Sequence, residues 1–140
     1  MKCDASLLNQ RKPFFMPDWS ADLRYIPCQA VRICRLGKCI DTRYANRYYD
    51  AIAQGLDFIA WDLKESDYAQ ATAFDNALCV GEWLPIPSDN AHDIDEAIHR
   101  ISQVVTLRMG DIVYLDLPEQ AQPLQVEQII QTDHLYCKIK

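Results

Sequence analysis

Asp50-Ala-Ile-Ala-Gln-Gly-Leu-Asp57-Phe-Ile-Ala-Trp-Asp62 is the stretch on which the fold turns. Ala51 to Ile59 is apolar apart from Gln54 and Asp57, is broken by Gly55, and reads as strand rather than helix toward its end. Asp57 sits where that run closes, in the manner of a metal ligand. A hard divalent cation needs several oxygens converging on it. The rest of the chain is therefore read for partners of Asp57.

Upstream, Leu23 to Ile40 reads as strand, with Tyr25, Val31, Ile33 and Leu36 interleaved with arginines and a turn at Gly37-Lys38. Pro27 within it suits an edge or a strand start better than a central ladder position. Thr42 to Tyr49 reads as a short helix. Downstream, Asp93 and Glu96 form an N-cap and capping-box pair opening a helix over Ile94 to Val105, with apolar residues at Ile94, Ala97, Ile98, Ile101, Val104 and Val105. Gly110-Asp111 introduces the strand Ile112 to Leu115. Gln125 to Ile130 and His134 to Ile139 read as closing strands around a polar turn. The sum is an α+β domain, mostly β, with two short helices and no internal repeat.

The 140 residues are 49% hydrophobic, enough for one core. No apolar run approaches the roughly eighteen residues that span a bilayer, and Met1 to Asp4 lacks a signal peptide's apolar segment. The net charge is −6. Residues 1–70 hold ten basic and nine acidic side chains, and residues 71–140 hold four and eleven. An acidic C-terminal half argues against nucleic acid and against an anionic membrane. Arg24, Arg32, Arg35 and Lys38 are read as solvated strand positions rather than a basic strip. Cys3, Cys28, Cys34, Cys39, Cys79 and Cys137 show no Cys-x-x-Cys pair and read as reduced thiols of a cytoplasmic protein. A zinc site from Cys28, Cys34 and Cys39 has irregular spacing and no nearby His, so small buried side chains are the simpler reading.

Several segments, in one order, resemble short bacterial members of the fumarylacetoacetate hydrolase family. Met1-Lys-Cys-Asp-Ala-Ser-Leu-Leu8 resembles its Lys-Pro-Asp-Ser-Ala-Leu segment, and Lys12 to Ser20 its Pro-Phe-x-x-Pro-Asp-Phe-Ser stretch. Val31 to Lys38 is similar to the strand and Gly-Lys turn after the acidic motif. Tyr44 to Ile52 resembles the helix that follows, and Gly55-Leu-Asp-Phe-Ile-Ala-Trp-Asp-Leu63 the Gly-x-Asp-Phe-Thr-Ala-Arg-Asp core. Phe74-Asp-Asn76, Val80-Gly81, Thr106 to Val113 and Cys137 to Lys140 continue the pattern. The resemblance implies one reduced, mixed β-roll domain over residues 1–140, lacking the family's N-terminal segment and two internal segments.

It also implies where chemistry would lie. The family holds magnesium with a Glu-x-Glu pair and a downstream Asp. Alternate strand residues share a face, so the pair delivers two carboxylates to one point, and the metal polarises an oxo-acid substrate. Counted onto this sequence, the two Glu positions fall on Ile26 and Cys28, and the Asp on Asp57. Asp62 matches a partner of an Arg that is here Trp61. The substrate-contacting Lys falls on Thr72. The glycine-rich substrate loop falls on Leu115 to Pro123, where Leu115 and Leu117 replace threonines and only Pro118 and Pro123 remain. The loop has lost the glycines that let backbone approach a ligand. The segment carrying the family's catalytic His–Glu pair would lie upstream of Met1.

The expectation is therefore a pseudoenzyme that needs no cofactor, with Asp57 a relic hydrogen-bonded to backbone near the former site. Cys28 is read as a buried structural thiol rather than a nucleophile. His92, His99 and His134 are read as unconnected. Trp19, Trp61 and Trp83 are read as core or dimer contacts, with Trp61 filling space left by the Arg and the metal. The resemblance implies a homodimer, or a mixed dimer with an intact family paralogue, as a binding or regulatory subunit. The alternative is a magnesium-dependent hydrolase, decarboxylase or isomerase of a small oxo-acid with a rebuilt site.

Overall fold

The computed structural model describes residues 2–9, 11–89 and 91–140. Eight strands are described: β1 (Leu7–Asn9), β2 (Leu23–Ile33), β3 (Tyr49–Ala60), β4 (Leu78–Val80), β5 (Ile112–Asp116), β6 (Gln122–Pro123), β7 (Ile129–Gln131) and β8 (Tyr136–Lys138). Two α-helices accompany them, α1 (Tyr68–Thr72) and α2 (Ala91–Val104), with four short 3-10 turns. The main sheet runs in the order β1-β4-β3-β2-β5, and β6 also pairs with β2. It is mixed: β1 and β4 are parallel, with Leu8 opposite Cys79, and β3 and β4 are antiparallel, with Asp57 opposite Leu78. β7 and β8 form a separate antiparallel pair. The α+β, mostly β expectation holds.

The chain divides into two compact units, residues 1–28, 54–82 and 116–140, and residues 29–53 and 83–115. The first has its own core of Leu8, Phe14, Leu23, Tyr25, Leu56, Phe58, Ala60, Cys79, Leu135, Cys137 and Ile139. Phe14 stacks on Phe58 with ring centroids 4.2 Å apart. In the second, Ile94 and Ile98 of α2, four residues apart and therefore on one helix face, pack with Val31, Ile33, Ile40, Tyr49 and Leu107. Tyr49 donates its hydroxyl to Asp95 at 2.8 Å.

Several expected boundaries move, for local reasons. The first long strand ends at Ile33, not Ile40. Beyond Ile33 the backbone turns away through Cys34 N–H to Tyr48 O, then pairs Gly37 with Leu107 in both directions, leaving Leu36 exposed. Pro27 lies inside β2, an interior strand. Its carbonyl still takes part in pairing, accepting from Leu117 N–H at 3.1 Å, although its nitrogen has no hydrogen to donate. Thr42 to Arg47 is a 3-10 turn capped by Asp41, whose side chain accepts from Arg43 N–H. α2 starts at Ala91, so Asp93 stands in its first turn, where a negative charge favours the helix dipole, rather than at the cap. The closing strands are three residues each. Glu127, with φ 66°, breaks the extension expected from Gln125.

Candidate functional site

β3 changes character at Gly55. Before it, buried residues alternate with more exposed ones; from Gly55 to Ala60 every residue is buried. Strand periodicity sends Leu56, Phe58 and Ala60 into the first unit's core, so Gly55, Asp57 and Ile59 point to the opposite face. In β2, Leu23 and Tyr25 join that core, and Ile26 and Cys28 take opposite phases from Tyr25 and Pro27. Gly55 makes room for the neighbouring thiol. A Cβ at Gly55 would stand 2.7 Å from Cys28 Sγ and 3.2 Å from the Cys79 carbonyl.

Asp57 is 2% exposed. A carboxylate so deeply buried stays ionised only when paired. Its partner is Lys2, whose Nζ lies 2.8 Å from Asp57 Oδ1, with the two side chains 4% and 3% exposed. The same ammonium donates to the carbonyl of Thr72 and to that of Phe58 at 3.3 Å, and stands 5.8 Å from the centre of the Phe74 ring. Three oxygens thus surround a group with three N–H donors. Local backbone bonds bring Lys2 there. Ser6 N–H bonds Cys3 O, Asn76 N–H bonds Ala5 O, and β1 then pairs with β4.

Asp116, the last residue of β5, adds a second carboxyl. Leu117 N–H bonded to Pro27 O holds its segment beside Cys28. Burial pushes the Asp116 carboxyl up to about 8, reinforced by a hydrogen bond and charge repulsion with Asp57, with Lys2 opposing. Asp116 Oδ1 and Asp57 Oδ1 are both buried, and neither receives an aligned hydrogen bond among the described residues. The raised Asp116 carboxyl and the Lys2 ammonium lie on either side of Asp57 in this buried cluster. Burial first, then Asp116 and Asp57, pushes the Cys28 thiol well up, which keeps it protonated and unreactive.

The other expected site residues separate. Ile26 is buried and offers no donor atom. Thr72 closes α1 and donates its hydroxyl back to Tyr68 O at 2.8 Å. Leu115 packs beside the second unit's core, and Leu117 is exposed. Asp62 accepts from Ser20 Oγ at 2.7 Å and from Ala21 N–H at 3.0 Å, and these bonds hold its carboxyl below the usual range. Two expectations need correcting. Asp57 is tied to a side-chain ammonium rather than to backbone. Trp61 does not fill a buried space: its partly exposed ring carries Arg24 at 4.7 Å and Lys64 at 4.2 Å over its face. Trp83 likewise carries Arg32 at 5.5 Å, and the half-exposed Trp19 meets Phe74 edge-on at 5.3 Å. His99 Nδ1 lies 2.7 Å from Ile40 O, His134 pairs with Glu82 at 3.3 Å, and His92 is exposed. Cys34 is only half-buried and Cys3 and Cys39 are exposed, so the buried reading holds for Cys28, Cys79 and Cys137.

Lys2 and Asp116 are the residues that sequence reasoning missed. Lys2 lies in the N-terminal segment and Asp116 in the segment Leu115 to Pro123, where neither charge has a sequence neighbour that marks its partner. The available signal was two charged residues flanked by apolar sequence, and it named no partner.

A magnesium-type ion does not fit these residues. Ile26 has no donor, Cys28 offers a protonated soft sulfur, and Asp57 is already compensated by an ammonium. Among the described residues, no group of three or more His, Cys, Asp or Glu side chains is placed to hold a metal.

No family model matches the sequence, and no curated protein matches it. Solved structures do match. A fumarylpyruvate hydrolase from Pseudomonas aeruginosa, in complex with Mn2+ and pyruvate, superposes with TM-score 0.87 at 16% identity, over 99% of this chain and 76% of that one. A 5-carboxymethyl-2-hydroxymuconate delta-isomerase from Mycobacterium smegmatis gives 0.88 at 18% identity, over 99% and 66%. A fumarylacetoacetate hydrolase family protein from Yersinia pestis gives 0.87 at 20% identity, over 99% and 80%. The chain therefore has the fold of fumarylacetoacetate hydrolase family proteins, and spans about two thirds to four fifths of their length. No described helix is long and apolar enough to cross a membrane.

Proposed function

We propose that this protein is a non-catalytic member of the fumarylacetoacetate hydrolase family, acting in the cytoplasm as a binding or regulatory subunit. One observation carries the reading. The two positions that the resemblance assigns to metal-binding glutamates hold Ile26 and Cys28, and the third, Asp57, is spent on Lys2. The substitutions at Thr72, Leu115 and Leu117 point the same way, because they remove an ammonium and two hydroxyls from the positions of the substrate contacts.

A fold alone does not give function. The relatives named above are hydrolases and isomerases, one of them described with Mn2+. A rebuilt metal-dependent site in this chain would have to displace Lys2 from Asp57. The partner is a second copy of this chain or an intact family paralogue.

Calorimetric titration with magnesium and manganese tests the reading. No saturable binding is expected. Tight binding that is abolished by Asp57→Ala would overturn it. Size-exclusion chromatography of the protein, alone and mixed with an intact paralogue, tests the partner; elution only as separate monomers would remove both proposed assemblies.

A further inference from the structure

We propose that the Lys2 ammonium is the resident cation of this site, doing for Asp57 the charge-compensating work of a bound metal ion. The inference rests on the reading above that no divalent ion is held there, and it explains why Asp57 persists without one. Asp57 lies in the part of β3 where every residue is buried, so no solvent is at hand to stabilise its charge. Lys2 Nζ reaches Asp57 Oδ1 at 2.8 Å, and the carbonyls of Phe58 and Thr72 complete an oxygen cage around it. Buried among these oxygens, with its side chain 4% exposed, the ammonium is not presented to a substrate. It is a fixed counter-ion, not a nucleophile or a general acid. Asp57 is in turn held by folding rather than by chemistry.

The test is a double-mutant cycle of thermal unfolding on the whole chain, using Lys2→Met, Asp57→Asn and the double variant. Lys2→Met leaves a buried carboxylate unpaired, so its midpoint should fall by several degrees. The double variant should recover at least half of that loss, because removing both charges is milder than stranding one. If Lys2→Met fails to fold while the double variant folds, the coupling is present in its strongest form. A Lys2→Met midpoint within about 2 °C of the parent overturns the proposal. So does a double variant that loses the sum of the single losses, or one that fails to fold.

A second readout concerns Lys2 alone. Brief acetic anhydride labelling with mass spectrometry should modify Lys2 at least about tenfold more slowly than the exposed Lys12 and Lys38. Equal labelling would overturn the proposal. These outcomes are separable from the earlier reading. Metal binding by the parent protein sinks the non-catalytic assignment, whereas an uncoupled or freely labelled Lys2 sinks only the resident-cation proposal.

Discussion

Lys2 and Asp57 meet at 2.8 Å with side chains 4% and 3% exposed, one from the start of the chain and one from the middle of β3. An ion pair this deep contributes little net stability relative to an apolar pair, but breaking it from one side strands a charge and costs about 3–5 kcal/mol. It therefore fixes the packing of the N-terminal segment against β3 and α1 more than it strengthens the fold.

Gly55→Ala should destabilise the protein by about 1–3 kcal/mol. The new Cβ meets Cys28 Sγ at 2.7 Å and the Cys79 backbone at 3.2 Å, and a short cysteine side chain has little room to move. Chemical denaturation measures the loss. Unchanged stability would mean that β2 and β4 separate here more easily than their packing indicates.

Asp116→Asn should raise stability at pH 8 and leave it nearly unchanged near pH 4. The folded carboxyl titrates at about 8, against an ordinary value of 3.8. A raised carboxyl pKa gives stability that is full below the unfolded value and lost as pH climbs through the folded one. The parent should therefore weaken between about pH 4 and pH 8, while the uncharged asparagine should not. Asp116 is only half-buried, so solvent screening limits the gain to about 1–2 kcal/mol. The depressed carboxyls of Asp41, Asp50 and Asp62 act below this window and do not mask it. Parallel pH–stability curves for the two proteins would refute the raised Asp116 carboxyl.

Ser102→Ala should cost about 1–3 kcal/mol in the second unit. Ser102 is fully buried, accepts from Ile40 N–H at 2.9 Å and donates to His99 O at 2.9 Å. Alanine leaves the Ile40 donor without its acceptor. Amide exchange at Ile40 should accelerate by about tenfold or more, and an unchanged rate would show that another acceptor takes over.

Combining Lys2→Met with Ile26→Glu and Cys28→Glu should create a divalent site beside Asp57. The change removes the internal cation and places two carboxylates, alternate on one strand, beside Asp57. Manganese should then raise the unfolding midpoint saturably and broaden its own paramagnetic resonance. A folded variant indifferent to manganese would disprove the assignment of Ile26 and Cys28 to metal-ligand positions.

Pattern carried much of the fold. The strand at Ala51 to Ile59, the strand after Gly110-Asp111 and the α2 helix are all visible in periodicity, because each buries a regular face. Boundaries were less legible. β2 stops at Ile33 because of hydrogen bonds to Asp111 and Tyr48, and the closing strands shorten at a left-handed Glu127; neither cause is local apolar pattern. β1, β4 and α1 are too short for periodicity to reveal.

By itself the sequence determined the mixed α+β architecture, the family-like order of segments, and the absence of side-chain oxygens at Ile26 and Cys28. Those are matters of residue type and spacing, which a linear chain displays. Only the tertiary structure decided that Asp57 answers to Lys2 and lies against Asp116. A buried charge must be compensated by whatever group folding brings within about 3–4 Å. Here the cation comes from the N-terminal segment and the second carboxyl from the end of β5, and no spacing in the sequence records that meeting.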